Sequence, residues 1–184
     1  MLLEHKILIS HPKCPSGTIF HKAVIYIYQH NEQNGTLGVI LNKPSRFTVQ
    51  DICADKKYPW AGPTPPVYHG GPVNSNALVM LHTDDWASTN TIRSSHNLMI
   101  SSDNEMLLQL GQNNQPKNWR LFAGLSGWAP GQLEAELSGK WPYRPENSWL
   151  IATPTAELLL QTRYNVLWEH AFKISSSQMF AEYF

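Results

Sequence analysis

Residues Arg120 to Leu137 read RLFAGLSGWAPGQLEAEL: an apolar run stops at Gly-Trp-Ala-Pro-Gly and an amphipathic stretch begins at once. This pattern predicts a strand, an elbow and a helix. Pro130 suits a first helical turn, where a missing N–H loses no partner. Gly127 and Gly131 let the backbone bend on either side of Trp128. Leu133 and Leu137 fall on one helical face, Glu134 and Glu136 lie where the helix dipole favours carboxylates, and Gly139 is placed to end the helix.

Upstream, Ile7 to Ser10 reads as a short strand. Ala23 to Gln29 and Thr36 to Asn42 are rich in β-branched and aromatic residues on consecutive positions, which predicts a hairpin of core strands covered on both faces. Thr48 and Asp51 form a capping box for a short helix. Asp55 to Pro66 is a proline-rich loop, and Val67-Tyr68-His69 leads to the break at Gly70-Gly71-Pro72. Ala77 to His82 and Leu98 to Ser101 read as strands, and Ser102 with Glu105 as a second capping box, for a helix ending at Gly111. Downstream of the elbow, Lys140 to Ser148 is a loop and Trp149 to Ala152 a strand. Thr153-Pro154 is a cap and first-turn proline for a helix through Leu160, and a last helix begins at Asn165. Residues 175–184 are expected to be a loose tail. The mixed order of hairpin, helix and strand argues for an α+β fold in a single domain, 1–184.

The 184 residues carry 42% hydrophobic and only 15% charged side chains, enough for a packed core and unlike a disordered chain. Formal charge is zero and the sequence pI is about 7.1, so no global attraction to nucleic acid or an anionic membrane is expected. No apolar run approaches the ~20 residues of a membrane helix. The two cysteines, Cys14 and Cys53, lack a dense disulfide pattern and follow no signal peptide, which points to reduced thiols in a cytoplasm.

Gly124-Leu125-Ser126-Gly127-Trp128 imitates G-x-S-x-G, but a nucleophile elbow needs a small residue where Trp128 stands, so Ser126 reads as a strand-end serine. His11, Cys14, His21 and His30 match no zinc spacing, and His82 with Asp84 and Asp85 reads as an ordinary strand-to-loop junction; no metal is expected. Gly70-Gly71-Pro72 reads as a turn, or as bare backbone lining a cleft. Trp128, Trp141 and Trp149 are core aromatics or a stacking platform. Asn42, Lys43 and Arg120 are strand-end polar groups that either bind a ligand or satisfy carbonyls.

Leu8-Ile9-Ser10, Phe20 with Ala23 to His30, GTLGVILNKP at 35–44, VYHGGPV at 67–73, LMISSDNEML at 98–107 and GLSGWAPGQLEAEL at 124–137 together resemble the YqgE/AlgH family. The resemblance runs through nearly the whole chain. It implies an α+β fold with a bifurcated, mostly antiparallel sheet folded towards a pseudo-barrel and short flanking helices. It brings a transcriptional-regulator label from one alginate-related member and no catalytic residues. At Ser126 the family often carries alanine. His21-Lys22 and the Cys14 region depart from the family pattern.

The expected function is therefore a cytoplasmic, non-catalytic regulatory or binding protein, without cofactor, acting on a protein or small-molecule ligand. The candidate ligand-binding residues are Asn42, Lys43, His69, Gly70, Gly71, Arg120 and Trp128. An enzyme with a cleft at the strand ends is the alternative, and a direct nucleic-acid binder the third reading. Oligomeric state is left open.

Overall fold

A computed structural model describes residues 3–62, 64–95, 97–140, 142–143 and 149–183. Trp141 and residues 144–148 of the expected loop lie outside them.

The sheet is built on β9 (Trp119–Trp128). Its strands run β10 (Trp149–Ala152), β1 (Ile7–Ser10), β2 (Val24–Asn31), β3 (Gly35–Ile40), β9, β6 (Val73–Thr83), β8 (Leu98–Ser101) and β7 (Ile92–Ser95). These neighbours pair antiparallel, and the sheet curls into a half-barrel. A branch leaves it: β5 (Pro66–His69) pairs in parallel with Phe122 and Ala123 of β9, and antiparallel with β4 (Pro44–Thr48). Beyond the branch, Ser126 to Trp128 pair instead with β3.

The bifurcation has a local cause. Gly124 of β9 has φ +78°, a conformation that costs an ordinary residue steric strain. Gly70, at the end of β5, crosses β9 so closely that a Cβ there would run into the Gly124 carbonyl, and one on Gly71 into the Leu125 backbone. The Gly70 N–H donates to Ala123, while its carbonyl accepts from the Ile40 N–H and the Ser126 hydroxyl. Three chain segments thus meet around bare backbone. The break at 70–72 is a crossing stitched into the sheet.

Among the described residues five helices flank the sheet. α1 (Val49–Asp55) has the expected capping box of Thr48 and Asp51. α2 (Asn104–Gly111) is capped one residue later than expected: Asp103 accepts from the Met106 N–H, whereas Ser102 spends its hydroxyl on the Leu78 carbonyl. α3 (Gln132–Leu137) starts after Gly131, whose φ of +75° takes the cap position, so Pro130 lies in the turn before the helix. Gly127 keeps to the strand with ordinary clearance; the bending glycines are Gly124 and Gly131. Gly139, at φ +60°, ends α3 as expected. α4 (Ala156–Leu160) is capped by Thr155, so Thr153-Pro154 precedes it. α5 (Tyr164–Tyr183) stays helical through residues 175–183, where a loose tail was expected. The Gln178 amide is one reason: it bonds both the N–H and the carbonyl of Thr153, just past the edge strand β10.

The hairpin of β2 and β3 is the core expected, with Ile25, Ile27, Val39 and Ile40 inaccessible. β4 and β7 are strands that the sequence pattern did not mark. No described helix is long and apolar enough to cross a membrane.

Candidate functional site

The elbow after β9 makes a pocket. Trp128 is 7% exposed and packs edge-on against Trp149 of β10 at 6.2 Å, and Phe20 meets Trp149 edge-on at 5.6 Å. One turn into α3, Glu136 accepts from both indoles through Oε2, at 3.0 Å from Trp128 and 2.9 Å from Trp149. Gln132 donates to its Oε1 at 3.0 Å and accepts from the Ala129 N–H. A half-buried carboxylate is thereby fixed by three N–H donors from neutral groups. Among the described residues no lysine or arginine neutralises it within 4 Å.

These groups wall a cavity of about 520 Å³ that is also lined by the loop at His11, Cys14 and Thr18 and by Tyr143. Apolar rings around a few polar groups are the usual make-up of a small-ligand site. Glu136 comes from the position read only as favourable to the helix dipole. Its i, i+4 spacing from Gln132, one turn past Trp128, is the sequence signal that marks it. Glu134 instead faces His30 at 3.3 Å.

The other expected site residues divide. Arg120, 7% exposed, lies in a second cleft: its guanidinium donates to the carbonyls of Leu41 at 2.7 Å and of Thr162, and sits 5.2 Å over the Tyr68 ring. Burial draws its pKa below the usual arginine value, with Tyr68 acting weakly the other way. Asn42 is 8% exposed and ties the loop before β2 to β3, accepting from the Val24 N–H and donating to the Lys22 carbonyl. Lys43 donates to the His21 carbonyl, and burial lowers its pKa against the opposing influence of Cys14. His69 is exposed at the end of β5, with its N–H on the Lys43 carbonyl. Asn42, Lys43, His69, Gly70 and Gly71 thus cluster around the crossing; Trp128 belongs to the elbow pocket and Arg120 to its own cleft.

The remaining chemistry-bearing residues are held in hydrogen bonds. Ser126 is buried with its hydroxyl on the Gly70 carbonyl. His82 is buried. Its Nδ1 faces the Thr83 carbonyl and must carry the proton, so Nε2 accepts from Ser101. Asp85 accepts from Thr83 and from the Lys117 N–H. Cys14 and Cys53 are free thiols. Among the described residues no cluster of three or more His, Cys, Asp and Glu could hold a metal ion.

Comparison with known proteins follows the same outline. The family model described as AlgH-like matches residues 7–179. A UPF0301 protein of Blochmanniella floridana is 32% identical across 97% of this chain and 91% of its own length. A second, from Pectobacterium atrosepticum, is 34% identical across 93% and 90%. The solution structure of the AlgH protein from Pseudomonas aeruginosa superposes with a TM-score of 0.74 at 28% identity, over 94% of this chain and 88% of that one. A crystal structure from Corynebacterium diphtheriae shares the fold, with a TM-score of 0.67 at 24% identity over 90% and 83%.

Proposed function

The chain belongs to the AlgH-like family, and we propose that it works as a non-catalytic binding protein, in one domain and in the cytoplasm, with the elbow pocket as its ligand site. Any regulatory effect then passes through what occupies that pocket, a small molecule or a side chain of a partner protein. The observation that carries this reading is the Glu136 carboxylate, fixed by two indoles and an amide inside an aromatic-lined cavity of about 520 Å³. Neutral donors satisfy its lone pairs but leave its charge. Aromatic faces attract cations, so carboxylate and rings together favour a ligand with an apolar body and a cationic head.

The catalytic alternative has less support, because the buried serine and histidine that resemble catalytic groups spend their hydrogen bonds on structure. Direct nucleic-acid binding has less still, since a net charge of zero supplies few phosphate contacts.

Calorimetric titration with phenethylammonium tests the proposal. Saturable binding to the native protein, weakened about tenfold in Glu136→Gln, is expected, since losing one charge-assisted contact is worth about 1.4 kcal/mol. Absence of binding, or equal binding to both proteins, contradicts it.

A further inference from the structure

The Arg120 cleft has a different chemistry, and the elbow proposal does not use it. It holds about 420 Å³ and lies between β9, the start of β5 and the turn that joins α4 to α5. Arg120 projects from β9 and is among the most buried charged groups of the chain. Its two carbonyl partners account for two of its five N–H groups. They strap β3 and the α4–α5 turn to β9, which a neutral amide would also do. A guanidinium performing that task brings a charge into a low-dielectric site. Such burial costs several kcal/mol unless an opposite charge compensates it. Among the described residues no carboxylate comes within 4 Å of Arg120. The face of Tyr68 offers partial compensation only.

The rest of the cleft has the same sign. Arg163, exposed, lines it and pairs with no carboxylate among the described residues. Tyr164 and Asn165 line it from the first turn of the twenty-residue α5, where backbone N–H groups have no intrahelical acceptor and the helix dipole is positive. That turn contains no acidic residue, and of its donors the Val166 N–H is taken by the Arg163 carbonyl. Trp119, Pro66 and Tyr68 add apolar surface to the lining of the cleft. An arginine fork, a second arginine and a helix start converge on one cleft in a chain whose net charge is zero.

We propose that this cleft binds the oxyanion group of a small organic acid, a carboxylate or a phosphate monoester, with the guanidinium of Arg120 as its buried countercharge, Arg163 at its mouth and the ligand's apolar body against Trp119. Arg120 then has two roles: its hydrogen bonds to Leu41 and Thr162 hold the cleft open in shape, and its remaining donors face the ligand. Bidentate pairing suits either oxyanion.

Benzoate, phenyl phosphate and inorganic phosphate are titrated separately into the intact, 15N-labelled protein at constant ionic strength, with chloride as the balancing anion. The expected result is saturable shifts of the amides of Arg163 to Asn165 with benzoate or phenyl phosphate, and weaker binding of inorganic phosphate, which lacks the apolar body. The tighter of the two organic probes identifies the oxyanion. Arg163→Gln, at an exposed position, should keep the native unfolding midpoint and lose at least fivefold in affinity. Arg120→Gln should lose binding altogether if it folds; if it does not, Arg163→Gln decides. Shifts no larger than chloride alone produces, for all three probes, overturn the proposal. So does undiminished binding to Arg163→Gln.

Discussion

The elbow and the glycine crossing stand on the same strand, and both are written in glycine, yet they do opposite things with it. At the crossing, Gly70, Gly71 and Gly124 remove side chains so that three backbones touch, and the space is filled by carbonyls and N–H groups. At the elbow, Gly131 supplies only a left-handed turn, with nothing within 4 Å of its would-be Cβ, and the turn swings Gln132 and Glu136 over Trp128. The first region spends its glycines on closing space and the second on opening it. A glycine-rich motif therefore marks a site only where the freed volume is lined by side chains.

Substitutions can break this contrast. The largest expected effect is Trp128→Ala, which removes a nearly buried indole and its bond to Glu136, and should lower stability by about 3–5 kcal/mol in chemical denaturation. An unchanged midpoint would make the elbow a surface feature rather than part of the core. Next comes Gly70→Ala, whose methyl group meets backbone that cannot step aside. A loss of about 1–3 kcal/mol is expected, with affinity for phenethylammonium preserved if the protein folds. Altered affinity in that variant would couple the crossing to the pocket and make the two regions one. Gly131→Ala meets no atoms and has only the φ of +75° against it, so about 1–2 kcal/mol is the expected loss. If Gly131→Ala proves costlier than Gly70→Ala, the assignment of close packing to the crossing is reversed.

The smallest effect lies outside both regions, at His82. Burial lowers its pKa, opposed by its bond to the Thr83 carbonyl and by Asp85, so the folded state prefers the neutral ring. Since the unfolded histidine takes up its proton near pH 6.5, the unfolded state binds more protons below that value, and stability falls as pH drops from about 6.5 towards the lower folded pKa. Asp103 adds a second, more acidic loss: burial acts against its carboxylate, but hydrogen bonds from Ser88 and from the Met106 and Asn90 N–H groups hold its pKa below the usual value. Its contribution disappears as pH falls below that usual value. An NMR titration in which the His82 ring protonates above pH 6.5 would refute the first part.

The sequence carried the hairpin, the capping box at Thr48 and the strand-elbow-helix, because each is a local pattern of periodicity, cap or turn chemistry. It missed β4 and β7, short strands of polar composition: the ladder of β4 is made with β5, beyond α1 and the proline-rich loop, and β7 is held by pairing with the apolar β8 that follows it rather than by any periodicity of its own. It placed the α2 cap on Ser102, because Asp103 and Ser102 are equivalent caps by type, and only the Leu78 carbonyl decides between them. Of the site, Trp128 and Arg120 were visible as residues, and Asn42 and Lys43 as groups that satisfy carbonyls. The pocket itself was not visible, since it needs Phe20, Glu136 and Trp149 brought together from three segments. Nor was the crossing, because nothing in Gly70-Gly71-Pro72 says that Gly124 lies against it.

The most direct test of the elbow pocket reads the two indoles that hold Glu136. In 15N spectra of the intact protein, the Nε1–H signals of Trp128 and Trp149 report on the carboxylate they share. Titration with phenethylammonium should move both signals together and saturably, while those of Trp60, Trp86, Trp119 and Trp168 stay in place, and 3-phenylpropionate at the same concentrations should move them less. Stationary Trp128 and Trp149 signals, or an equal response of all the indoles, would contradict a ligand site at the elbow.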